Sequence, residues 1–307
     1  MTPILLIAGP TAAGKTALAI EAAKQLDGEI INADSMQIYE GLPIITACPD
    51  VAEQAAAPHH LFGTVDPALR WSVGEWSHAA LALVDEVRLR GRTPILVGGT
   101  GLYFNALTIG LAPVPEISAD TRARATALLE NEGLEALREE AFRQDPVSAE
   151  KIKPADKHRL MRLVEVGWQT GRPLSDFHAE TTPLLGEQAW QGIVIEPERS
   201  LLYDRINQRF DRMLAAGALD EVAAFAERKL DPRLPAMKAL GVPQLLAHLA
   251  GELSLEEAGD LSKQESRRYA KRQMTWFRNQ LSSWARLTSP EKSTAVQALT
   301  AILEGRT

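Results

Sequence analysis

The chain has 307 residues, 45% of them hydrophobic, enough for a large core in one large domain or two modest ones. Its single cysteine, Cys48, excludes an intrachain disulfide framework and a cysteine-based zinc site. The net charge of −7 would discourage a nucleic-acid partner if the charge were evenly spread, and no targeting or long apolar segment is visible, so a cytoplasmic protein with no membrane partner is expected.

The first apolar run, Ile4–Ala8, reads as a buried strand. It leads into Gly9-Pro10-Thr11-Ala12-Ala13-Gly14-Lys15-Thr16 and then an Ala/Leu-rich helix from Thr16 to Gln25. A glycine-rich loop between a strand and a helix, ending in Lys-Thr, cradles a di- or triphosphate with backbone N–H groups. Lys15 would neutralise the outer oxygens, and the Thr16 hydroxyl would ligate Mg²⁺. The loop says polyphosphate without saying which one.

Further strands are predicted at Glu29–Ala33 and Pro94–Val97, separated by a connection containing Pro58-His59-His60-Leu61 and by a helix from about Val73 to Arg90. Strands alternating with helices argue for a parallel sheet with right-handed crossovers, the fold class being α/β with a P-loop NTPase-like core. Each early strand is followed by a polar cluster: the phosphate loop, Asp34-Ser35-Met36-Gln37-Ile38-Tyr39, and Gly98-Gly99-Thr100-Gly101-Leu102-Tyr103. In open parallel sheets such clusters converge at the carboxyl ends of the strands. Asp34 could be a working carboxylate, a cap for a following helix, or a partner of Mg²⁺. The third strand ends without the acid that nucleotidases commonly place there, which weakens an ATPase reading and leaves Asp34 the best-placed carboxylate. The glycines at 98, 99 and 101 suggest backbone that lets a substrate approach closely.

The prolines of Leu111-Ala112-Pro113-Val114-Pro115 break the pattern, and from Ser118 to about Thr182 the chain reads as helical and rich in charge. Gly192–Ile195 returns as a strand, followed by helices to the C-terminus. An all-helical insertion over 113–190 is therefore expected within a core formed by 1–112 and 191–307. Two segments are basic against the acidic background, Lys151–Arg172 and Lys263–Arg278. In the second, Ala270, Met274, Phe277, Leu281 and Trp284 mark one apolar helix face, opposite Arg268, Lys271, Arg272 and Thr275. A solvated helix surface explains such a stripe, and so does a surface for phosphate backbone. Tyr203–Leu214 is predicted as an amphipathic helix carrying Arg205, Arg209 and Arg212, any of which could reach a phosphate or simply line a solvated face.

Taken in order, the segments at 9–16, 34–39, 58–61 and 98–103, with Arg-Ile-Asn-Gln-Arg-Phe at 205–210 and Ala-Lys-Arg-Gln-Met-Thr-Trp-Phe-Arg at 270–278, resemble the bacterial tRNA dimethylallyltransferase (tRNA isopentenyltransferase) family. The resemblance runs from about residue 4 to 280. It implies transfer of a dimethylallyl group from dimethylallyl diphosphate to N6 of the adenosine 3′-adjacent to the anticodon. The loop would then hold a leaving diphosphate rather than ATP, with Lys15, Thr16-bound Mg²⁺ and Arg209 stabilising its charge. Asp34 would serve as general base, Thr100 would position the amine or the diphosphate, and the adenosine would be flipped from its stack.

The resemblance further assigns tRNA contacts to Asp34, Ser35, Met36, Gln37, Thr100, Arg122, the run His158-Arg159-Leu160-Met161-Arg162 in the insertion, which would meet the anticodon arm, and Lys238-Ala239-Leu240-Gly241-Val242-Pro243. A monomer is expected. The chain departs from the family pattern at Cys48, where a lysine is usual, at Val242, where tyrosine is frequent, and at Ala155, where asparagine is common. Competing readings are a small-molecule kinase, an adenylate isopentenyltransferase and a non-enzymatic RNA-binding module. The basic insertion argues against the first two, and the third leaves Asp34 and Thr100 without a task.

Overall fold

The computed structural model describes residues 3–288. The chain divides into two compact units, one formed by residues up to Thr108 together with those from Leu185, the other by Ile109–Leu184. The second unit ends before the returning strand begins, because the Leu185 N–H donates to the Leu107 carbonyl (2.8 Å) and ties that stretch to the first unit.

The first unit opens with β1 (Ile4–Ala8), α1 (Lys15–Leu26), β2 (Gly28–Asn32), α2 (Val51–Ala56), β3 (His59–His60), α3 (Val73–Leu89), β4 (Thr93–Gly98) and α4 (Gly101–Thr108). The second unit holds α5 (Ala119–Gln144, broken at Gly133), α6 (Pro146–Ala149), α7 (Lys157–Thr170) and α8 (Leu174–Ala179). The chain then returns with β5 (Trp190–Ile195), α9 (Arg199–Ala215), α10 (Ala218–Ala226), α11 (Val242–Leu249), α12 (Leu255–Gln280) and β6 (Ala285–Leu287).

The sheet has the order β3-β2-β4-β1-β5-β6 and every pairing in it is parallel. Because successive side chains of a strand point to opposite faces, β1 feeds two cores. Ile4, Leu6 and Ala8 join Trp76, Phe104 and Phe277 on one side, while Leu5 and Ile7 join Leu18, Ala19 and Ala22 of α1 on the other. All five β1 residues are fully buried, and burying each of its four Leu or Ile side chains is worth about 2 kcal/mol against the unfolded chain. The uniformly apolar strand is what a sheet covered on both faces requires.

Two strands depart from expectation. His59–His60, read as part of a connection, forms β3 at one edge beside Ile30 and Ile31. Ala285–Leu287, expected to be helical, forms β6 at the other edge beside β5. Accordingly α12 ends at Gln280, and Trp284 packs beyond it against Trp190 and Phe104 rather than continuing the helix face. The remaining stretch over which helices were expected, 289–307, lies outside the described residues. In the second unit α5 and α7 pack through Leu137, Ala141, Leu160, Leu163 and Val164. Buried Asp145 accepts from the Ser148 and Ser175 N–H groups, capping α6 and pinning the start of α8.

Candidate active site

The carboxyl ends of β1, β2 and β4 bring the three polar clusters together. After β1, residues 9–14 form the loop and Lys15 opens α1, whose first turn has no side-chain cap. Its leading N–H groups therefore lack acceptors within the helix and, with the helix dipole, favour an anion. Burial lowers the pKa of Lys15 to about 8, partly offset by the nearby charge of Asp34, and Arg209 lowers it a little further. The Lys15 ammonium donates to the Pro10 carbonyl (2.9 Å). Arg209, on the inner side of α9, donates to the Thr11 hydroxyl, and burial depresses its pKa too. Among the described residues neither cation has a carboxylate within ion-pair distance. Two desolvated cations beside the uncapped first turn of α1 form a site suited to an anion.

Asp34 follows β2. Its Oδ1 accepts from the Met36 N–H (2.9 Å) in a local turn, so it caps no helix. Its backbone is fixed by fully buried Asn32, which accepts from the Asp34 N–H (2.8 Å) and donates to the carbonyls of Asp34 (3.1 Å) and Leu61 (2.8 Å). Oδ2 instead faces Gly99, and a Cβ built on Gly99 would lie 3.3 Å from it. The glycines at the end of β4 are required by this crowding: a Cβ on Gly98 would stand 1.9 Å from the Ala33 carbonyl oxygen. Thr100 Oγ1 accepts from the Ser35 N–H (2.9 Å) and donates to the Ser35 hydroxyl (3.2 Å), locking the loop after β4 to the loop that carries Asp34.

Two cavities meet here. One, of about 580 Å³, is lined by loop residues 11–16 with Asp34, Gln37, Cys48, Arg205, Arg209 and Arg212. The other, of about 280 Å³, is lined by Ser35, Met36, Phe210, Tyr269, Arg272 and Lys238–Leu240. Thr11, Asp34, Thr46 and Arg209 belong to both. A carboxylate and a guanidinium thus stand at the junction of the chamber lined by loop residues 11–16 and a smaller one.

The wall at 44–48 is held from outside. Glu221 accepts from the Ile44 and Ile45 N–H groups (2.7 and 2.8 Å), and the Gln37 side chain donates to the Thr46 and Ala47 carbonyls (3.0 and 2.6 Å). Cys48 in this wall is a neutral thiol, pushed up to about 11 by burial, so it supplies no cation where a lysine is usual in the resembling family. The Pro58–Leu61 segment splits its duties. His59 lines the larger cavity, while His60 contacts buried Glu29 (2.6 Å), which Arg90 also grips through Nε and Nη2 (2.9 and 2.7 Å).

The predicted residues fall into two groups. Residues 9–16, 34–37, Thr100, Arg209 and 238–243 all belong to the first unit. Within 238–243, Gly241 packs toward Ile45 and Phe210, and Val242 is wholly buried as α11 begins, so these two shape the cavity rim from behind. Arg122 and residues 158–162 belong to the second unit. There His158 and Arg159 are exposed in the first turn of α7, Leu160 is buried in the core, and Met161 and Arg162 are half-buried. Burial lowers the pKa of Arg162, which Glu165 raises and neighbouring Arg122 lowers further.

Sequence reasoning passed over Asn32, Tyr269 and Gln273. Gln273 carries a legible signal, since it falls on the apolar face of α12 between Ala270, Met274 and Phe277, where a polar side chain must find partners.

The comparisons with known proteins agree with one another. A family model described as IPP transferase matches residues 37–280, and one described as isopentenyl transferase matches residues 2–57. A tRNA dimethylallyltransferase of Maricaulis maris (strain MCS10) is 64% identical over 304 residues, covering 99% of each chain. One from Rhodopseudomonas palustris (strain ATCC BAA-98 / CGA009) is 52% identical over 305 residues, covering 98% of this chain and 94% of the other. Among solved structures, the tRNA isopentenylpyrophosphate transferase of Bacillus halodurans superposes with a TM-score of 0.69 at 34% identity, covering 100% of this chain and 98% of that one. A eukaryotic dimethylallyltransferase described as acting on tRNA gives 0.85 at 25% identity, covering 100% and 81%.

Proposed function

The chain belongs to the IPP transferase family, and from that premise we propose that it transfers the dimethylallyl group of dimethylallyl diphosphate to N6 of the adenosine 3′-adjacent to the anticodon of tRNA. The observation that carries this reading is the junction of the two cavities at Asp34 and Arg209. The diphosphate lies in the larger chamber, and the adenine, flipped from its stack, enters the smaller one.

An exocyclic adenine amine is a weak nucleophile because its lone pair is delocalised into the ring. In the transfer the C1–O bond of the donor breaks and its electron pair leaves with the diphosphate. The C1–N6 bond forms, and the N6 proton passes to the carboxylate of Asp34, which lines both cavities. Lys15, Arg209 and the N–H groups of the first turn of α1 take up the charge that develops on the leaving oxygens. Thr100 keeps Ser35, and with it the Asp34 loop, in place against the strand ends.

Magnesium fits this donor set. Among the described residues no cluster of three His, Cys, Asp or Glu offers an all-protein cage. Mg²⁺ is normally held by one or two protein oxygens together with phosphate oxygens, and the Thr16 hydroxyl lines the chamber where the diphosphate would lie. When bound, the ion offsets part of the diphosphate charge. Exposed Arg159 and Arg122, with half-buried Arg162, grip the phosphate backbone of the anticodon arm. The chain works as a cytoplasmic monomer; none of its described helices is long and apolar enough to cross a membrane.

The deciding experiment incubates the purified chain with unmodified tRNA, Mg²⁺ and labelled dimethylallyl diphosphate. Label entering tRNA at the adenosine beside the anticodon is the expected result. ATP-dependent phosphorylation of a small acceptor with no label in tRNA would overturn the reading.

A further inference from the structure

We propose that Gln273 is a positioning residue that clamps the diphosphate loop to the loop after β4 and so fixes the spacing between leaving group and general base. The side chain is 5% exposed on the inner face of α12. Its Oε1 accepts from the Thr11 N–H (2.9 Å) and its Nε2 donates to the Gly99 carbonyl (2.9 Å). The contact is tight, for a Cβ on Gly99 would lie 2.3 Å from that nitrogen.

From Gly99 the connection continues through Thr100 to the Ser35 N–H, next to Asp34. The clamp therefore spans from the loop that would hold the diphosphate to the loop that carries the base. Displacement needs the reacting atoms about 3–3.5 Å apart, and a shift of about 1 Å can cost about a hundredfold in rate. Only a side chain that accepts on one atom and donates on the next satisfies both loops. A primary amide does so. A carboxylate can keep the Thr11 bond but cannot donate to Gly99, and methionine of similar volume makes neither bond.

The inference rests on the transfer reaction proposed above. Q273M and Q273E are compared with wild type by single-turnover label transfer at saturating substrates, by tRNA binding and by binding of inorganic diphosphate. The expected result is transfer slowed about 100-fold in Q273M and about tenfold in Q273E, with tRNA affinity held within about twofold. Inorganic diphosphate should bind about fivefold more weakly to Q273M, because its loop is no longer pre-formed. Transfer within about threefold of wild type in both variants overturns the clamp, as does tRNA affinity falling in step with turnover. Should Q273M fail to fold, Q273E decides by the same criteria. Diphosphate binding needs no transfer. A wild-type chain that transfers nothing, yet binds diphosphate in a way Q273M weakens, rejects the reaction and keeps the clamp. An unchanged diphosphate affinity in Q273M rejects the clamp.

Discussion

Arg209 donates to the hydroxyl of Thr11, a residue 198 positions earlier in the chain, so α9 is joined to the loop after β1 through a side chain that also lines, with Asp34, the junction of the two cavities. The guanidinium is therefore held where a leaving oxygen would arrive, and its position depends on the second half of the chain. Arg209→Ala is expected to lower kcat/KM for the donor about 100- to 1,000-fold. Arg209→Lys should recover only part of that loss, since an ammonium lacks the planar fork. Steady-state transfer measured against donor concentration checks both. A loss below tenfold for the alanine variant would remove Arg209 from the diphosphate site.

The acidity of Lys15 gives a pH signature. Its folded pKa of about 8 lies below the ordinary 10.5, so between those values the unfolded chain holds a proton that the folded chain lacks. The burial cost of its charge is thus fully present below about pH 8 and is relieved as the pH rises toward 10.5. Binding runs the other way, because an anion needs the ammonium. Measured against Lys15→Met, which cancels the titration of diphosphate itself, the share of diphosphate affinity owed to Lys15 should be steady well below pH 8 and fade above it, with uptake of a proton by Lys15 on binding. Calorimetry in buffers of different ionisation enthalpy measures that proton as the difference between wild type and Lys15→Met.

Neutralising Asp34 should separate catalysis from binding. Asp34→Asn keeps the acceptor for the Met36 N–H but cannot take the N6 proton. Transfer is expected to fall at least about 100-fold while tRNA affinity changes only a few-fold. Turnover that survives within a few-fold would reassign the proton to another group.

In the second unit, Arg122, Arg159 and Arg162 should each remove about one unit from the salt dependence of tRNA binding when neutralised. Log affinity plotted against log salt for the single glutamine variants checks this. A slope identical to wild type in all three would place the RNA elsewhere.

The ion cluster below the sheet is a stability feature rather than a catalytic one. Arg90 is the main reason the buried Glu29 carboxyl is held down to about 2, with His60 assisting. Glu29 therefore contributes stability that is present above about pH 4.5 and lost as the pH falls toward 2. Arg90→Met should lower the unfolding midpoint at neutral pH, because it removes the main partner of the buried Glu29 carboxylate. Glu29→Gln should flatten the acid limb of the unfolding curve, followed by circular dichroism.

How much of this was legible follows from which residues carry periodic or local information. Ile4–Ala8 and Pro94–Val97 are apolar runs bounded by glycine, and a doubly covered parallel strand leaves that trace. The two-residue β3 and three-residue β6 leave none, because edge strands so short have no pattern beyond their partners. Residues 9–16, Asp34 and Thr100 were legible because each follows a strand. Asn32 and Gln273 owe their importance to partners distant in sequence, Leu61 and Gly99 among them, and no local pattern reveals such pairings.

The strand order has a consequence for how the chain is made. Emerging from the ribosome, β1 acquires β4 as a neighbour early, but its other flank waits for β5, which begins at Trp190. Through all the synthesis of residues 109–184 the nascent sheet therefore carries an unfilled central edge, apolar on both faces. Helices α5–α8 meanwhile have a core of their own to build. The half-made protein is at its most vulnerable to aggregation during that interval, and release of the chain past β5 ends it.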